Sequence, residues 1–189
     1  MIRSEAAVRI PADVDPVEYA PLLCAGVTVF NGIRQMGITT GDVVAIQGLG
    51  GLGHLAVQYS RKMGYRTVAL SSSDSKRQFA KELGANEYID GSKEDLGEAL
   101  QKMGGASLIV LTAPNPTLVK SLLNGLGVNG KLLILARTYY VPSYWLLCIF
   151  DSHLEHSYPS SKTALCTCLS LFDYFHPTHC ATSTISLLS

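Results

Sequence analysis

A short glycine-rich segment sets the tightest limit on how this chain can fold. Gly48, Gly50 and Gly53 satisfy the pattern G-x-G-x-x-G. They follow the β-branched run VVAIQ at residues 43–47, which predicts a buried strand. A helix is predicted over residues 51–63, where apolar residues recur at three- and four-residue steps. This glycine loop, residues 48–53, therefore lies where a strand turns directly into a helix.

The three glycine positions indicate a dinucleotide. A side chain at the first would block the tight turn, one at the second would hold a pyrophosphate off the backbone, and one at the third would separate helix from strand. The exposed amides and the positive helix end favour an anion. An ATPase-type phosphate loop is excluded, because His54 and Leu55 follow Gly53 where Lys and then Ser or Thr are required.

The glycine loop opens a regular alternation of short apolar and longer amphipathic segments. Strands are predicted over residues 43–47, 66–71, 87–89, 107–112 and 131–136, and helices over 51–63, 74–83, 92–103 and 116–124. Such an alternation requires right-handed crossovers and a parallel sheet covered on both faces. The predicted fold class is α/β, a doubly wound parallel sheet of the Rossmann type with five strands.

A leading helix is predicted before the first strand, over residues 13–37. Asp15 and Pro16 supply its cap and first-turn signals. Leu23, Val27 and Phe30 mark one face of it. We therefore expect this helix to pack beside the sheet.

The composition changes abruptly near residue 137. All 17 glycines lie at or before Gly130, whereas four of the five cysteines lie beyond it. No sustained period follows, so residues 137–189 are predicted to be an irregular tail. The fifth strand would then keep an open edge.

Charge and hydropathy point to a small-molecule ligand. Fifteen basic and fifteen acidic residues cancel, so neither a nucleic acid nor a membrane surface is an expected partner. No apolar run approaches the length of a membrane span or of a signal peptide. We expect a cytoplasmic protein whose cysteines are thiols.

The end of the second strand indicates which dinucleotide. An NAD site places an acid about 20 residues past the glycines, on the ribose 2′-hydroxyl, and Ser71 stands there instead. Ser71, Ser72 and Ser73 offer hydroxyls, and Lys76 and Arg77 offer cations, which suits the 2′-phosphate of NADP(H). The missing acid also disfavours a methyltransferase pocket. Alternatively, the three serines form a capping turn for the next helix, and Lys76 and Arg77 are ordinary solvated charges. This second interpretation is compatible with binding of the 2′-phosphate.

Long stretches of the sequence resemble a known family. They are LLCAGVTVFNGIRQMG, GDVVAIQGLGGLGHLAVQYSRKMGYRTVALSSSDSKR, FAKELGANEYID and GLGVNGKLLILA. They resemble the zinc-type alcohol dehydrogenases of the medium-chain dehydrogenase/reductase superfamily, and the resemblance as a whole extends over about residues 4–136. The serine turn followed by basic residues is similar to the NADP-preferring, cinnamyl-alcohol-dehydrogenase-like members, which interconvert alcohols and aldehydes by hydride transfer at a catalytic zinc.

The resemblance implies roles for individual residues. The pyrophosphate would lie on Gly48, Gly50, Gly51, Leu52 and Gly53, and the adenosine phosphate on Ser71, Ser72, Ser73 and Lys76. Thr112 would border the cofactor near its nicotinamide half, and Thr28 would approach it from the leading helix. Cys24 matches the family's third catalytic-zinc ligand. Because a catalytic zinc needs three protein ligands, the more ordinary interpretation of Cys24 is a buried helix cysteine.

The departures from the family define three segments. Residues 1–40 look like the remnant of a catalytic domain and the leading helix, 41–136 like the dinucleotide-binding domain, and 137–189 like a tail unrelated to the family. The expected function is therefore the cofactor-binding domain of an alcohol dehydrogenase-type oxidoreductase that is not catalytically complete by itself. The alternatives are a non-catalytic NADP(H)-binding or interaction module and a truncated product without function. Zinc and oligomerisation belong to the parent family.

Overall fold

The structure is a computed structural model that describes residues 9–113 and 115–135, together with the backbone of three later strands. The strands are β1 (Val43–Gln47), β2 (Arg66–Ser71), β3 (Glu87–Asp90), β4 (Ala106–Leu111), β5 (Leu126–Ile134), β6 (Cys148–Asp151), β7 (Thr163–Thr167) and β8 (Thr182–Ser186). The helices are α1 (Pro16–Tyr19), α2 (Ala25–Gln35), α3 (Gly51–Lys62), α4 (Arg77–Glu82), α5 (Leu96–Lys102) and α6 (Val119–Asn124).

Five parallel strands form the predicted sheet. Their order is β3-β2-β1-β4-β5, and β6 is added antiparallel to β5. Gln47 at the end of β1 lies in register with Leu70 of β2 and Leu111 of β4. The carboxyl ends of these three strands therefore meet at one edge of the sheet, where ligands of open α/β folds bind. The predicted fold class is confirmed.

Helices cover both faces of this sheet, because the strands are apolar on both sides. One buried cluster joins α2 and α3 to the sheet through Val29, Ile33 and Val57. The second joins α5 and α6 to the opposite face through Leu100 and Leu122. No helix within the described ranges is long and apolar enough to cross a membrane.

The leading helix differs from its prediction. It divides into α1, a 3₁₀ turn over Ala20–Leu23 and α2, with Asp15 capping α1 through its side chain. Leu23, Val27 and Phe30 are exposed, at 53%, 46% and 42%. The core instead takes the stripe that contains Ile33 on the other side of α2. Both stripes have helical spacing, so the pattern alone could not choose between them.

The far side of the sheet also departs from the sequence prediction. β5 begins at Leu126 instead of residue 131, with a register shift opposite Ala106. Asn129 there has a φ of +59°. A residue with positive φ interrupts the apolar alternation of a strand, so the sequence pattern did not predict the first residues of β5. The open edge expected at β5 is not found, because β6 pairs with residues 131–134. The tail predicted to be irregular contains this strand and the antiparallel pair β7 and β8, and the boundary at residue 137 lies outside the described residues.

Candidate dinucleotide-binding site

The glycine loop forms at the carboxyl end of β1. Gly48 has a φ of +91°, which favours glycine, and its N–H donates to the Leu70 carbonyl at 3.0 Å. A Cβ on Gly53 would lie 1.8 Å from the carbonyl oxygen of Gly48, so no side chain fits where α3 crosses the loop. A Cβ on Gly50 or Gly51 would meet no described atom within 4 Å. That side of the loop is open to a ligand.

The first turn of α3 is suited to an anion. Gly50 is the N-cap residue and offers no side chain to cap the turn, and the first turn contains no acidic residue. The first amides of a helix have no acceptor inside it and carry the positive end of its dipole. His54 contacts the Gly50 carbonyl through Nδ1 at 3.0 Å, so its side chain is engaged by the backbone of the turn.

Thr112 supports the loop from the neighbouring strand. It follows β4 directly, and its hydroxyl donates to the carbonyl oxygens of Gln47 at 2.8 Å and Gly48 at 3.2 Å. The same Oγ1 would lie 3.0 Å from a Cβ on Gly53. The structure thus brings Thr112 against the glycine loop, where its hydroxyl fixes the backbone of the turn.

The serine bend, residues 71–76, leaves β2 at the same edge of the sheet. Ser71 is buried and lies in register with Asp90 of β3, and its carbonyl accepts from the Gly91 N–H at 2.7 Å. The carbonyl of Ser73 accepts a hydrogen bond from the Tyr88 hydroxyl. The bend is therefore held by β3 and the residues that follow it, while Ser72 and Ser73 are exposed.

Two carboxylates lie beside the bend, although no acid occupies the position of Ser71. Asp74 belongs to the bend itself, and Asp90 ends β3 with only 3% of its surface exposed. A hydrogen bond from Arg77 lowers the pKa of Asp74, helped by Lys93. The side-chain hydroxyl of Ser92 lowers the pKa of Asp90. Both groups are therefore ionised near neutral pH.

The cations near the bend divide into engaged and free. Arg77 is engaged by Asp74 at 2.6 Å and lies 4.8 Å from the centre of the Tyr88 ring. Lys93, which sequence reasoning missed, lies 3.3 Å from Asp74 and 3.5 Å from Asp90. Lys76 is exposed and forms no ion pair with any described residue. It can therefore face an incoming anion.

The leading helix carries the two remaining candidates. Cys24 is exposed at the start of α2, so its interpretation as a buried helix cysteine is wrong. Thr28 lies one turn further on, half-buried, and its N–H donates to the Cys24 carbonyl at 3.0 Å. No three His, Cys, Asp or Glu side chains gather around a possible ion in the part of the chain that the structure describes. The described residues therefore do not fit a catalytic zinc.

A shallow concavity also lies at α5 and α6. Its lining includes Asp95, Gln101 and Asn124. Asp95 caps α5 and accepts from the Ser121 hydroxyl at 2.8 Å, and Gln101 donates to the Asn124 carbonyl at 2.7 Å. These polar groups satisfy one another, so the concavity offers less to a ligand than the open amides of the glycine loop.

The fold and this site define a class: a dehydrogenase-type cofactor-binding domain. Residues 51–144 match the family described as zinc-binding dehydrogenase. An alcohol dehydrogenase of Aspergillus clavatus, patD, is 65% identical over 136 residues, which are 72% of this chain and 35% of the relative. An alcohol dehydrogenase of Geobacillus stearothermophilus is 39% identical over 132 residues, 69% of this chain and 39% of the relative.

The solved structures agree with these relatives. A putative alcohol dehydrogenase from Sinorhizobium meliloti 1021 aligns with a TM-score of 0.63 and 28% identity, over 68% of this chain and 39% of that one. The chain thus belongs to the zinc-type alcohol dehydrogenases of the medium-chain dehydrogenase/reductase superfamily. It spans between a third and two fifths of the length of these relatives.

Proposed function

We propose that residues 41–135 bind NADP(H) and serve hydride transfer between an alcohol and an aldehyde. The observation that carries the proposal is the asymmetry of the glycine loop. Its inner glycines are packed so closely that a Cβ on Gly53 would reach 1.8 Å from a carbonyl oxygen, while Gly50 and Gly51 face open space. A loop selected only for packing would have no need of glycine at the two open positions.

The pyrophosphate would lie on that open side. Glycine at positions 50 and 51 lets phosphate oxygens approach the backbone, and the N–H groups of the first turn of α3 would donate to them. Thr112 would act indirectly here, since its hydroxyl is engaged by the loop carbonyls. A bound nicotinamide would accept or give up the hydride, and this chain's residues would bind and orient it.

The preference for NADP(H) over NAD(H) would come from the serine bend. A carboxylate at residue 71, about 4 Å from a 2′-phosphate, would be repelled by about 4 kcal/mol or more at an effective dielectric of about 20. Ser71 removes that repulsion, Ser72 and Ser73 offer exposed hydroxyls, and Lys76 offers a charge that no described residue neutralises. These features together favour a phosphate over a bare ribose hydroxyl.

A second candidate is binding without turnover. It is favoured by the isolation of Cys24, which has no cluster of further ligands among the described residues. Under this alternative the chain would hold NADP(H) as a module. Alcohol oxidation at a zinc ion would then require zinc ligands in addition to the residues that the structure describes.

Parallel titrations with NADPH and NADH, followed by nicotinamide fluorescence, test the proposal. We expect NADPH to bind at least tenfold more tightly, since the 2′-phosphate adds charge-assisted contacts. Equal or tighter binding of NADH would refute the NADP(H) assignment. Zinc content and alcohol-dependent formation of NADPH, measured on the same sample, separate the two candidates: turnover with stoichiometric zinc supports the dehydrogenase, and binding without either supports the module.

A further inference from the structure

Lys93 holds a position that the proposed function does not yet use. It stands three residues after Asp90 in the loop between β3 and α5, and its Nζ lies between two carboxylates, 3.3 Å from Asp74 and 3.5 Å from Asp90. Asp74 belongs to the serine bend and Asp90 to the adjoining strand end. Lys93 thus joins the two elements that meet beside the candidate 2′-phosphate position.

The two carboxylates depend on this lysine in different ways. Asp74 also has Arg77 at 2.6 Å, so it keeps a counter-charge without Lys93. Asp90 is almost fully buried, and its Oδ2 accepts no hydrogen bond from a described residue. Lys93 is the one described cation within 4 Å of Asp90. Removing it would leave a buried negative charge beside the bend without a counter-charge, and such a charge is costly.

The net charge around the bend determines whether loss of Lys93 weakens or strengthens the binding of a phosphate. Lys76, Arg77 and Lys93 contribute three positive charges, and Asp74 and Asp90 contribute two negative ones. The group therefore has a net charge of +1, which attracts a phosphate. Without Lys93 the net charge would be zero, and Asp90 would lie uncompensated beside the bend.

We propose that Lys93 is a specificity-determining positioning residue: by neutralising Asp74 and Asp90 together, it keeps the serine bend receptive to the 2′-phosphate of NADP(H). This inference rests on the proposed function. Lys93 acts through the two carboxylates and leaves Lys76 to meet the phosphate. Its contribution is absent for NAD(H), which brings no charge to this position.

The experiment compares Kd values for NADPH and NADH in the full chain at low ionic strength, where exposed charges are least screened. For Lys93→Met we expect NADPH binding about fivefold weaker, as for the loss of one unit charge near a doubly charged phosphate in water-like dielectric, and NADH binding changed less than about twofold. Lys93→Arg should retain the ratio. Lys102→Met is the matched control, because Lys102 is similarly exposed and pairs with Glu94 at 3.8 Å, not with Asp74 or Asp90.

A second variant separates charge from folding. Asp90→Asn in the Lys93→Met background removes the carboxylate that has lost its counter-charge and restores the net charge of the group to +1, so it should recover most of the lost NADPH affinity. Equal weakening of both nucleotides by Lys93→Met, no weakening of NADPH, or no recovery in the double variant would overturn the inference. Absence of an NADPH preference in the unaltered chain would instead overturn the proposed function itself, and the two failures are thus told apart.

Discussion

Replacement of Gly53 by alanine should disrupt the packing of α3 against the glycine loop and destabilise the folded chain. The added Cβ would lie 1.8 Å from the carbonyl oxygen of Gly48, 2.7 Å from its carbonyl carbon and 3.0 Å from Oγ1 of Thr112. Two of these atoms are backbone and cannot move away by a rotamer change, so the helix must shift. Overpacking costs about 1–3 kcal/mol when side chains can yield, and we place Gly53→Ala at the upper end, about 3 kcal/mol.

Gly50→Ala is the matched control for the same added methyl group. Gly50 has a φ of −95°, which alanine adopts, and its Cβ would meet no described atom within 4 Å. Urea unfolding should give a change of less than about 1 kcal/mol for Gly50→Ala, while Gly53→Ala lowers Tm by about 6–12 °C. NADPH binding should weaken in both. A Gly53→Ala protein as stable as the unaltered chain, or a Gly50→Ala protein less stable than Gly53→Ala, would refute the packing argument.

Three further perturbations follow from the same contacts. Thr112→Val removes the hydroxyl bound to the loop carbonyls and should lower the free energy of unfolding by about 1 kcal/mol in urea titrations. Unchanged stability would show that this hydroxyl does not stabilise the glycine loop. Ser71→Asp should weaken NADPH binding at least about tenfold while sparing NADH, and Asn124→Asp, which adds the same charge elsewhere, should change neither. A hydrogen bond from Arg77 lowers the pKa of Asp74 in the folded chain. The ionised Asp74 side chain therefore stabilises the folded state above an unfolded pKa of about 3.9, and this stabilisation is lost as pH falls through the lower folded value. Urea unfolding from about pH 6 to about pH 3 should therefore show a smaller loss for Asp74→Asn, and parallel curves for the two proteins would contradict this.

Much of the parallel sheet could be predicted because its signals are local. The strand at residues 43–47, the glycine pattern and the β–α alternation each depend on neighbouring residues, and the structure places β1 and β2 at the predicted bounds. The leading helix was harder, since Leu23–Val27–Phe30 and the stripe through Ile33 have the same helical spacing. Only the sheet, packed against one of them, decides which is buried.

The candidate site was predictable in the same uneven way. Gly48 and Gly53 follow from the loop pattern, because their reasons lie within six residues of chain. Asp90 and Lys93 reach the serine bend through the pairing of β2 with β3, which joins residues about twenty apart, and no spacing rule marks them. The available signal was that Asp90 ends its strand as Ser71 ends the one before it.

A titration of ¹⁵N-labelled protein with NADPH, followed through its backbone amide resonances, tests directly whether the glycine loop and the serine bend bind the cofactor. We expect the largest shifts at residues 50–53 and 71–76, and we expect NADH to reproduce the shifts of the first group and to move the second far less. Shifts centred on Asp95, Gln101 and Asn124, or spread without preference over the sheet, would contradict this expectation.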